Sequence, residues 1–456
     1  MTGVRDADTI AAIATADGRG GIGILRLSGP QALLIGERLA GRSLRPRHAH
    51  HCRIRDRSGD TLDDAIVISF PGPRSFTGEN VVEIQGHGSP VVLQQILREA
   101  VAEGARLARP GEFSERAYLN ERIDLAQAEA IADLIAAGTE AAARGAMRSL
   151  QGEFSRQIHA LMEAVTALRV YVEAAMDFPD EDVDFLADGD VEMRISELGD
   201  ELDGVRRAAG QGVLLGSGIS LVLAGAPNAG KSSLMNVLAR RDTAIVTAIP
   251  GTTRDVLREP IDLDGLPVQL MDTAGLRDSS DPVEAEGVRR ARVEVERADC
   301  LLFLVEATGK TDWPQTREEV QWRVGASLPS RIILVQSKAD LLPSDSSKPP
   351  VGDLPAVAIS ALTGAGIEDL KQTIRQQVGF ASDSQSTFTA RARHLHALDQ
   401  AADGLAAALE TLQATGAGDL VAEDLRLVHE HLGQIVGAVS SDALLGRIFA
   451  SFCIGK

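Results

Sequence analysis

The sequence has few cysteines, no long apolar run and fewer basic than acidic side chains. Its three cysteines, Cys52, Cys300 and Cys453, are far apart with no paired spacing, which excludes a disulfide framework and a cysteine zinc site. No uninterrupted apolar stretch approaches the roughly 18 residues that cross a bilayer, and the N-terminus lacks the apolar core of a signal peptide. We therefore expect a cytoplasmic protein in a reducing compartment, with no membrane span.

Aromatic residues are also scarce, at 3% of the chain. The cores must therefore consist of Ala, Leu, Val and Ile, a composition that favours closely packed helices. The balance of 46 basic and 65 acidic residues gives a net charge of −19. That charge repels a polyanion at long range and argues against autonomous, non-specific nucleic-acid binding. A length of 456 residues corresponds to about three domains.

The first 118 residues combine short apolar runs with Gly and Pro. The segments IGILRLSG, DAIVISFPGP and VVEIQGHG predict strands, and QALLIGERLAG and SPVVLQQILREAV predict helices between them. We expect a small α+β domain. Nearby, the histidines at 48, 50 and 51 have no Cys or carboxylate at ligand spacing, so we interpret them as a solvated loop and not as a metal site.

Two helical segments flank a region of a different pattern. Apolar residues repeat at steps of three and four from Leu150 to Val172, and again from Leu395 to Leu412 and from Leu425 to Val439, which predicts amphipathic helices. Between these segments, apolar runs alternate with helical stretches, a pattern typical of a parallel sheet wrapped by helices. The predicted architecture is multidomain, α+β, all-α and α/β. Its domains are 1–118, a helical domain from 119–216 and 379–456, and an inserted Ras-like P-loop domain at 217–378.

The inserted domain begins with a phosphate-binding motif. Gly225-Ala-Pro-Asn-Ala-Gly-Lys-Ser232 follows an apolar strand and precedes a helix, which is the context that GxxxxGK[ST] requires. Backbone N–H groups of this loop face phosphate oxygens, Lys231 reaches the β- and γ-phosphates, and the Ser232 hydroxyl ligates Mg²⁺. The motif therefore predicts a nucleotide site.

Further motifs indicate guanine and a switch mechanism. Asp272-Thr-Ala-Gly275 follows a strand and can hold a Mg²⁺-bound water and contact a γ-phosphate, while Thr253 can supply a second hydroxyl to Mg²⁺. Ser337-Lys-Ala-Asp340 is similar to the guanine-reading element, and Ser360-Ala-Leu362 to the loop that contacts guanine O6. Two positions depart from the usual pattern. Ser337 replaces Asn or Thr, and Leu276 stands where a Ras-like enzyme has the glutamine that orients water.

The whole sequence resembles the MnmE (TrmE) family of tRNA modification GTPases. The resemblance rests on GRGGIGILRLSG, FTGENVVEIQGHG, ARPGEFSERAYLN, DLAQAEAIADLI, DFPDEDVDF, the G motifs and the terminal Phe452-Cys-Ile-Gly-Lys456. It implies a folate-binding N-terminal domain that also forms a homodimer, a two-segment helical domain and a Ras-like insertion.

The resemblance also implies roles for single residues. Asn228 would ligate K⁺ together with backbone oxygens of Thr247, Ile249 and Thr252, and Glu284 would orient the attacking water. Folate contacts would come from Arg26, Glu83, Arg122 and Lys456. With the motifs above, the candidate GTP-binding residues are Asn228, Ala229, Gly230, Lys231, Ser232, Ser233, Thr247, Ala248, Ile249, Pro250, Gly251, Thr252, Thr253, Asp272, Thr273, Ala274, Gly275, Ser337, Lys338, Ala339, Asp340, Ser360, Ala361 and Leu362.

The function implied is GTP hydrolysis coupled to tRNA modification. With the FAD protein MnmG, in a heterotetramer, members of the family install a carboxymethylaminomethyl or aminomethyl group at C5 of wobble uridine. A tetrahydrofolate derivative supplies the one-carbon unit, and Mg²⁺ and K⁺ serve GTP hydrolysis. Two alternatives remain open at this point. One is an Era-like ribosome-assembly GTPase, although no basic RNA-binding module is evident, and the other is a folate-binding regulator whose GTPase only times assembly.

Overall fold

The computed structural model describes residues 8–177, 190–241, 258–272, 292–307, 313–314, 316–342, 353–381, 388–439 and 441–455. The chain divides into two compact units. The first is Met1–Ala132 with Glu430–Lys456, and the second is Asp133–His429. No helix in the described ranges has both the length and the apolar composition needed to span a membrane.

The first unit contains a six-stranded sheet. Its elements are β1 (Ile10–Ile13), β2 (Gly20–Ser28), α1 (Ala32–Ala40), β3 (His50–Arg55), β4 (Thr61–Phe70), β5 (Val81–Gly88), α2 (Pro90–Ala102), β6 (Arg106–Leu107) and α3 (Glu112–Leu119), with α14 (Asp442–Ala450) near the C-terminus. The strand order is β3-β4-β5-β2-β1-β6, and the pairs are antiparallel except β1 with β6. Buried residues of β2 to β5 largely alternate with more exposed ones, and the buried apolar residues form a core with α1 and α2 on one face of the sheet.

The second unit combines helices with an α/β sheet. Its elements are α5 (Glu140–Leu150), α6 (Glu153–Asp177), α7 (Asp190–Ser217), β7 (Ile219–Gly225), α8 (Lys231–Arg241), β8 (Arg258–Leu263), β9 (Leu266–Asp272), α9 (described at 292–297), β10 (Cys300–Glu306), α10 (Arg317–Val324), β11 (Arg331–Ser337), β12 (Ala356–Ala358), α11 (Ile367–Val378) and α12 (Ala392–Thr415). Two more helices, α4 (Leu125–Ala136) and α13 (Gly418–Val436), include the points of division.

The sheet of the second unit has the order β12-β11-β10-β7-β9-β8. All neighbouring pairs are parallel except β8 with β9. Apolar clusters cover both of its faces, which explains why its strands are nearly continuous apolar runs. The carboxyl ends of β7, β9 and β11 lead directly into the nucleotide motifs.

The predicted fold class is confirmed, and the structure refines several elements. The apolar stripe that begins at Leu150 belongs to two helices, because α5 ends there and Gly152, with a φ of 81°, separates it from α6. Val439 lies beyond the end of α13. The interpretation of the histidines as a solvated loop is wrong for His50, which begins β3 and is buried, with its ring nitrogen accepting a hydrogen bond from the Arg45 N–H. His51 is exposed, as expected, but it lies in β3 and not in a loop.

Candidate nucleotide and folate sites

The phosphate-binding loop connects β7 to α8. Gly225 has a φ of 143°, and a Cβ there would lie 2.4 Å from the carbonyl oxygen of Leu304 on β10. Asn228 and Gly230 also have positive φ values, 64° and 92°. These conformations curl the backbone around the start of α8, where the first-turn amides have no carbonyl four residues earlier to bond. An anion is the natural partner of such amides.

The magnesium candidates meet at the mouth of this loop. The Ser232 hydroxyl lies 3.4 Å from Oδ2 of Asp272, at the end of β9. Burial raises the pKa of Asp272, an effect that the Lys231 ammonium and the Ser232 hydroxyl partly offset. Its Oδ1 is buried and has no hydrogen-bond partner among the described residues. A hydroxyl and an under-satisfied carboxylate fit a hard cation such as Mg²⁺.

The Lys231 side chain points back over the loop. Its ammonium donates to the carbonyl oxygens of Gly225 and Ala226 at 2.9 and 3.0 Å. The amine therefore lies beside the curled backbone that would hold the phosphates, and its three donors can be redirected to phosphate oxygens.

The guanine candidates lie at the ends of β11 and β12. The Ala339 N–H donates to the carbonyl oxygen of Ile359 at 3.0 Å, which joins the two loops. Asp340 and Ser360 line one cavity of about 520 Å³, and the Ser360 hydroxyl accepts the N–H of Thr363 at 3.2 Å. Both candidate segments therefore contribute to one concave region, with Asp340 and Leu362 exposed and Ala361 half-buried.

Ser337 connects the guanine candidates with the phosphate loop. It is buried, and its hydroxyl donates to the carbonyl oxygen of Val305 at 3.3 Å. Its Cβ would be 3.7 Å from a Cβ added at Gly230. The next residue, Lys338, has a φ of 57° and an ammonium 2.8 Å from Glu306. The two loops therefore lie next to each other at Ser337, a proximity that the sequence pattern did not predict.

Twelve of the candidate residues lie outside the described part of the chain. They are Thr247, Ala248, Ile249, Pro250, Gly251, Thr252, Thr253, Thr273, Ala274, Gly275, Glu284 and Lys456. Their assignments remain predictions, as do the chemical roles of the residues that the structure describes.

The folate candidates gather within the first unit. Nε and Nη2 of Arg26 donate to Oε1 of Glu83 at 3.0 and 2.8 Å, which ties β2 to β5. Nη1 of Arg26 lies 3.4 Å from the carbonyl oxygen of Gly455, so the residue before Lys456 reaches this site. The guanidinium carbon is 5.6 and 5.7 Å from the ring centres of Phe76 and Phe113.

Sequence reasoning missed these aromatic partners and the role of the C-terminal backbone. A Cβ at Gly455 would lie 2.4 Å from the carbonyl oxygen of Ile13 on β1, and Gly455 has a φ of 94°. Gly455 therefore allows the C-terminal segment to pack against the sheet. Arg122 is exposed, and its Cγ would be 3.3 Å from a Cβ at Gly78, in the same loop as Phe76. A carboxylate, two arginines and an exposed ring fit a planar, polar heterocycle.

Two family models match successive parts of the chain. One, described as "GTP-binding protein TrmE N-terminus", matches residues 9–122, and the other, "MnmE helical domain", matches residues 125–453. The second match covers more than half of the chain.

Curated relatives match over nearly the full length. The tRNA modification GTPase MnmE of Chromohalobacter salexigens is 52% identical over 453 residues, which is 98% of both chains. The protein of the same name from Pseudomonas aeruginosa is 52% identical over 456 residues, 98% of this chain and 99% of the relative. A solved structure of Era from Aquifex aeolicus is 26% identical over 41% of this chain and 66% of its own, and its TM-score of 0.28 supports no conclusion. The two matched segments and the near-complete alignments show that this chain belongs to the tRNA modification GTPase MnmE family and is a GTP hydrolase.

Proposed function

We propose that the chain hydrolyses GTP with Mg²⁺ and K⁺ and that this hydrolysis serves modification of wobble uridine at C5 in certain tRNAs. The modification would be carboxymethylaminomethyl or aminomethyl, made by a cytoplasmic complex of the chain's homodimer with the FAD protein MnmG. The observation that carries the nucleotide part is the corner where the Ser232 hydroxyl meets the under-satisfied carboxylate of Asp272.

The residues of the nucleotide site would have separate roles in binding and hydrolysis. Ser232 and Thr253 would ligate Mg²⁺ through their hydroxyls, Asp272 would hold a Mg²⁺-bound water, and the bound ion would neutralise charge on the phosphate oxygens. Lys231 would contact the β- and γ-phosphates. Asp340 would accept hydrogen bonds from guanine and thereby exclude adenine. Glu284 would orient the attacking water, since Leu276 has no group that could do so.

The folate part of the proposal rests on the first unit. Arg26 donates two hydrogen bonds to Oε1 of Glu83 and lies beside Phe76. The carbonyl oxygen of Gly455 in the C-terminal segment is also within 3.4 Å of Arg26. Arg122 and Lys456 would add cationic contacts to a tetrahydrofolate derivative that supplies the one-carbon unit. Arg26→Ala should abolish folate binding in calorimetric titration while GTP affinity stays unchanged. Retained folate affinity would contradict this assignment.

The Era-like alternative receives no support from the non-nucleotide parts of the chain, because the family matches cover residues on both sides of the G motifs. The second alternative, a folate-binding regulator, differs from the proposed function in that it would not lead to modification of tRNA.

Mass spectrometry of wobble nucleosides should show loss of the C5 modification in cells lacking this chain. Purified chain, partner, folate and GTP should restore it on unmodified tRNA. If GTP is hydrolysed and no C5 group appears, the modifying function is wrong.

A further inference from the structure

One short segment of this acidic chain is strongly basic. Residues 41–57 contain six arginines, three histidines and one acidic residue, Asp56. Their formal charge is +5, so the rest of the chain carries −24. A chain with a net charge of −19 therefore contains a local segment of net positive charge. Whether these cations lie on one surface depends on the fold.

The segment forms an edge of the first unit's sheet. β3 is the outer strand, next to β4. His50, Cys52 and Ile54 point into the core, whereas His51, Arg53 and Arg55 are exposed. Successive outward residues of a strand are about 7 Å apart. The strand thus presents a row of cationic or titratable side chains at its solvent-facing side.

The preceding loop extends this row. Arg42, Arg45 and Arg47 are exposed, and the Arg47 guanidinium donates to the carbonyl oxygen of Arg74, which brings another exposed arginine alongside. We call the exposed arginines at 42, 45, 47, 53, 55 and 74 the arginine edge. Of their side chains, only Arg53 has a carboxylate within ion-pair distance among the described residues, 3.6 Å from the exposed Asp64.

A neighbouring titratable group responds to this positive field. The His48 ring lies 3.3 Å from the Arg45 guanidinium. The charge of Arg45, followed by desolvation and the charges of His50 and Arg42, lowers the pKa of His48. Arg45 and Arg42 therefore act on the same ring, and no carboxylate of the described residues lies within ion-pair distance of either.

The chemistry of the arginine edge favours phosphate groups. Guanidinium groups form two-point hydrogen bonds with phosphate oxygens. A lipid surface would also need exposed apolar side chains for anchoring, and within 41–57 the apolar Leu44, Cys52 and Ile54 are buried. A solvent-exposed row of arginines on a protein that modifies tRNA matches the electrostatic footprint of an RNA backbone.

We propose that the arginine edge binds the sugar-phosphate backbone of tRNA. The chain then contributes RNA contacts of its own, in addition to those of its partner. This inference rests on the proposed tRNA function. It differs from the expectation drawn from the net charge, since phosphates that come within a Debye length of about 8–10 Å interact with the local charge.

The test compares two full-length variants of equal charge. The first carries Arg42→Gln, Arg45→Gln and Arg55→Gln. The control carries Arg144→Gln, Arg156→Gln and Arg207→Gln, on exposed positions of α5, α6 and α7. Binding of fluorescently labelled tRNA is measured by anisotropy from 50 to 200 mM KCl. Each lost phosphate contact lowers the slope of log K against log salt by about 0.7–0.9, so the first variant should lose about 2 to 3 in slope and about tenfold or more in affinity.

The outcomes separate the possibilities. The proposal holds if the first variant loses affinity and slope while the control and GTP hydrolysis stay at wild-type values. Equal losses in both variants would show a bulk charge effect and overturn it. Unchanged tRNA binding would also overturn it, and a simultaneous change in sedimentation would assign the edge to a protein contact. Absence of the C5 modification with the wild-type chain would refute the proposed function while the binding data still decide about the edge.

Discussion

Among single residues, Glu112 shows how burial and pairing compete. Its side chain is 1% exposed, and it accepts hydrogen bonds from Arg106 at 2.6 and 2.8 Å and from the Arg109 N–H at 2.8 Å. Burial alone would raise its pKa, but these donors outweigh burial and lower the pKa to about 2. The carboxylate therefore stabilises the fold only while it is ionised.

Glu112→Gln should lower the free energy of unfolding by about 3 kcal/mol at pH 7, because it leaves the buried guanidinium of Arg116, 3.2 Å from Glu112, and the partly exposed one of Arg106 under-compensated. The pKa of the folded state lies below that of the unfolded chain, so the contribution is complete above about pH 5 and fades as the pH falls toward 2. Urea unfolding at pH 7, 5 and 3 measures this. Glu115→Gln, in a more exposed pair with Arg109, should cost less than about 1 kcal/mol. An undiminished effect of Glu112→Gln at pH 3 would contradict the argument.

Asp340 is the residue on which guanine selection should depend. Its carboxylate can pair with two donors that guanine has and adenine lacks. Asp340→Asn should weaken GTP binding on the order of 100-fold, since two charge-assisted hydrogen bonds are lost. The same variant should favour xanthine nucleotides, whose carbonyl suits an amide. Turnover of GTP and XTP by both proteins is the measurement, and an unchanged preference for GTP would remove Asp340 from this role.

A longer side chain at position 337 should increase the affinity for GDP. Among the described residues, the Ser337 hydroxyl donates to the Val305 carbonyl oxygen at 3.3 Å, and the phosphate loop lies near it at Gly230. Ser337→Asn supplies a longer amide, so GDP binding should tighten by one hydrogen bond, roughly 0.5–1.5 kcal/mol. Ser337→Ala serves as the control and should change GDP affinity little. Equal dissociation constants for the wild type and Ser337→Asn would show that the amide finds no partner there.

At the scale of elements, the junction of β7, β10 and the phosphate loop depends on a missing side chain. Gly225→Ala would place a Cβ 2.4 Å from a backbone oxygen of β10 at a φ of 143°. We expect a loss of several kcal/mol in stability and of nucleotide binding. Gly210→Ala in α7 is the matched control, because no atom of the described residues lies within 4 Å of the added Cβ, apart from the chain neighbours and the surrounding backbone of α7 itself. It should stabilise the helix by about 0.5–1 kcal/mol.

Thermal unfolding with and without GDP distinguishes these variants. Gly225→Ala should have a lower Tm that GDP no longer raises, whereas Gly210→Ala should keep the GDP response. A Gly225→Ala protein with the wild-type Tm and the wild-type increase in Tm on GDP binding would show that the backbone of β10 shifts at little cost, which would contradict the prediction.

The elements also explain which parts of the structure could be predicted. β7, β10 and β11 are buried on both faces, so their apolar runs identify them. β3 and β8 lie at sheet edges. Charged residues interrupt their apolar pattern, so the sequence does not identify them as strands. The residues of the phosphate loop are consecutive in sequence, so the motif alone predicts this loop. The site at Arg26 joins β2 to Glu83 and to Gly455, 429 residues away, and no local pattern connects such positions.

At the scale of the whole molecule, the mean charge misrepresents the surface. The sequence indicated repulsion of polyanions, yet the fold collects arginines along one sheet edge. Local charge acts on a partner within a Debye length, whereas the mean charge acts only at long range. An acidic chain can therefore approach RNA slowly and still bind it through one edge.

Catalysis by the whole molecule should depend on a monovalent cation. The position after DxxG is Leu276, so the chain lacks the Ras-type glutamine. Asn228 is exposed in the phosphate loop with a φ of 64°, where its side chain could ligate K⁺ and place positive charge near the β–γ bridge. Enclosing that ion with the oxygens of Thr247, Ile249 and Thr252 would require the G domains of a homodimer to meet.

Hydrolysis should therefore be faster in K⁺ than in Na⁺, which is too small for the same ligand cage. Asn228→Ala should lower the K⁺ rate to the Na⁺ rate and leave GTP binding largely intact, since the contact belongs to the transition state. Turnover is measured in matched chloride salts at constant ionic strength, with fluorescent labels in each protomer reporting G-domain approach. Equal wild-type rates in both salts would refute the cation mechanism. Stimulation by K⁺ without approach of the labels would keep the ion site and reject its coupling to the dimer.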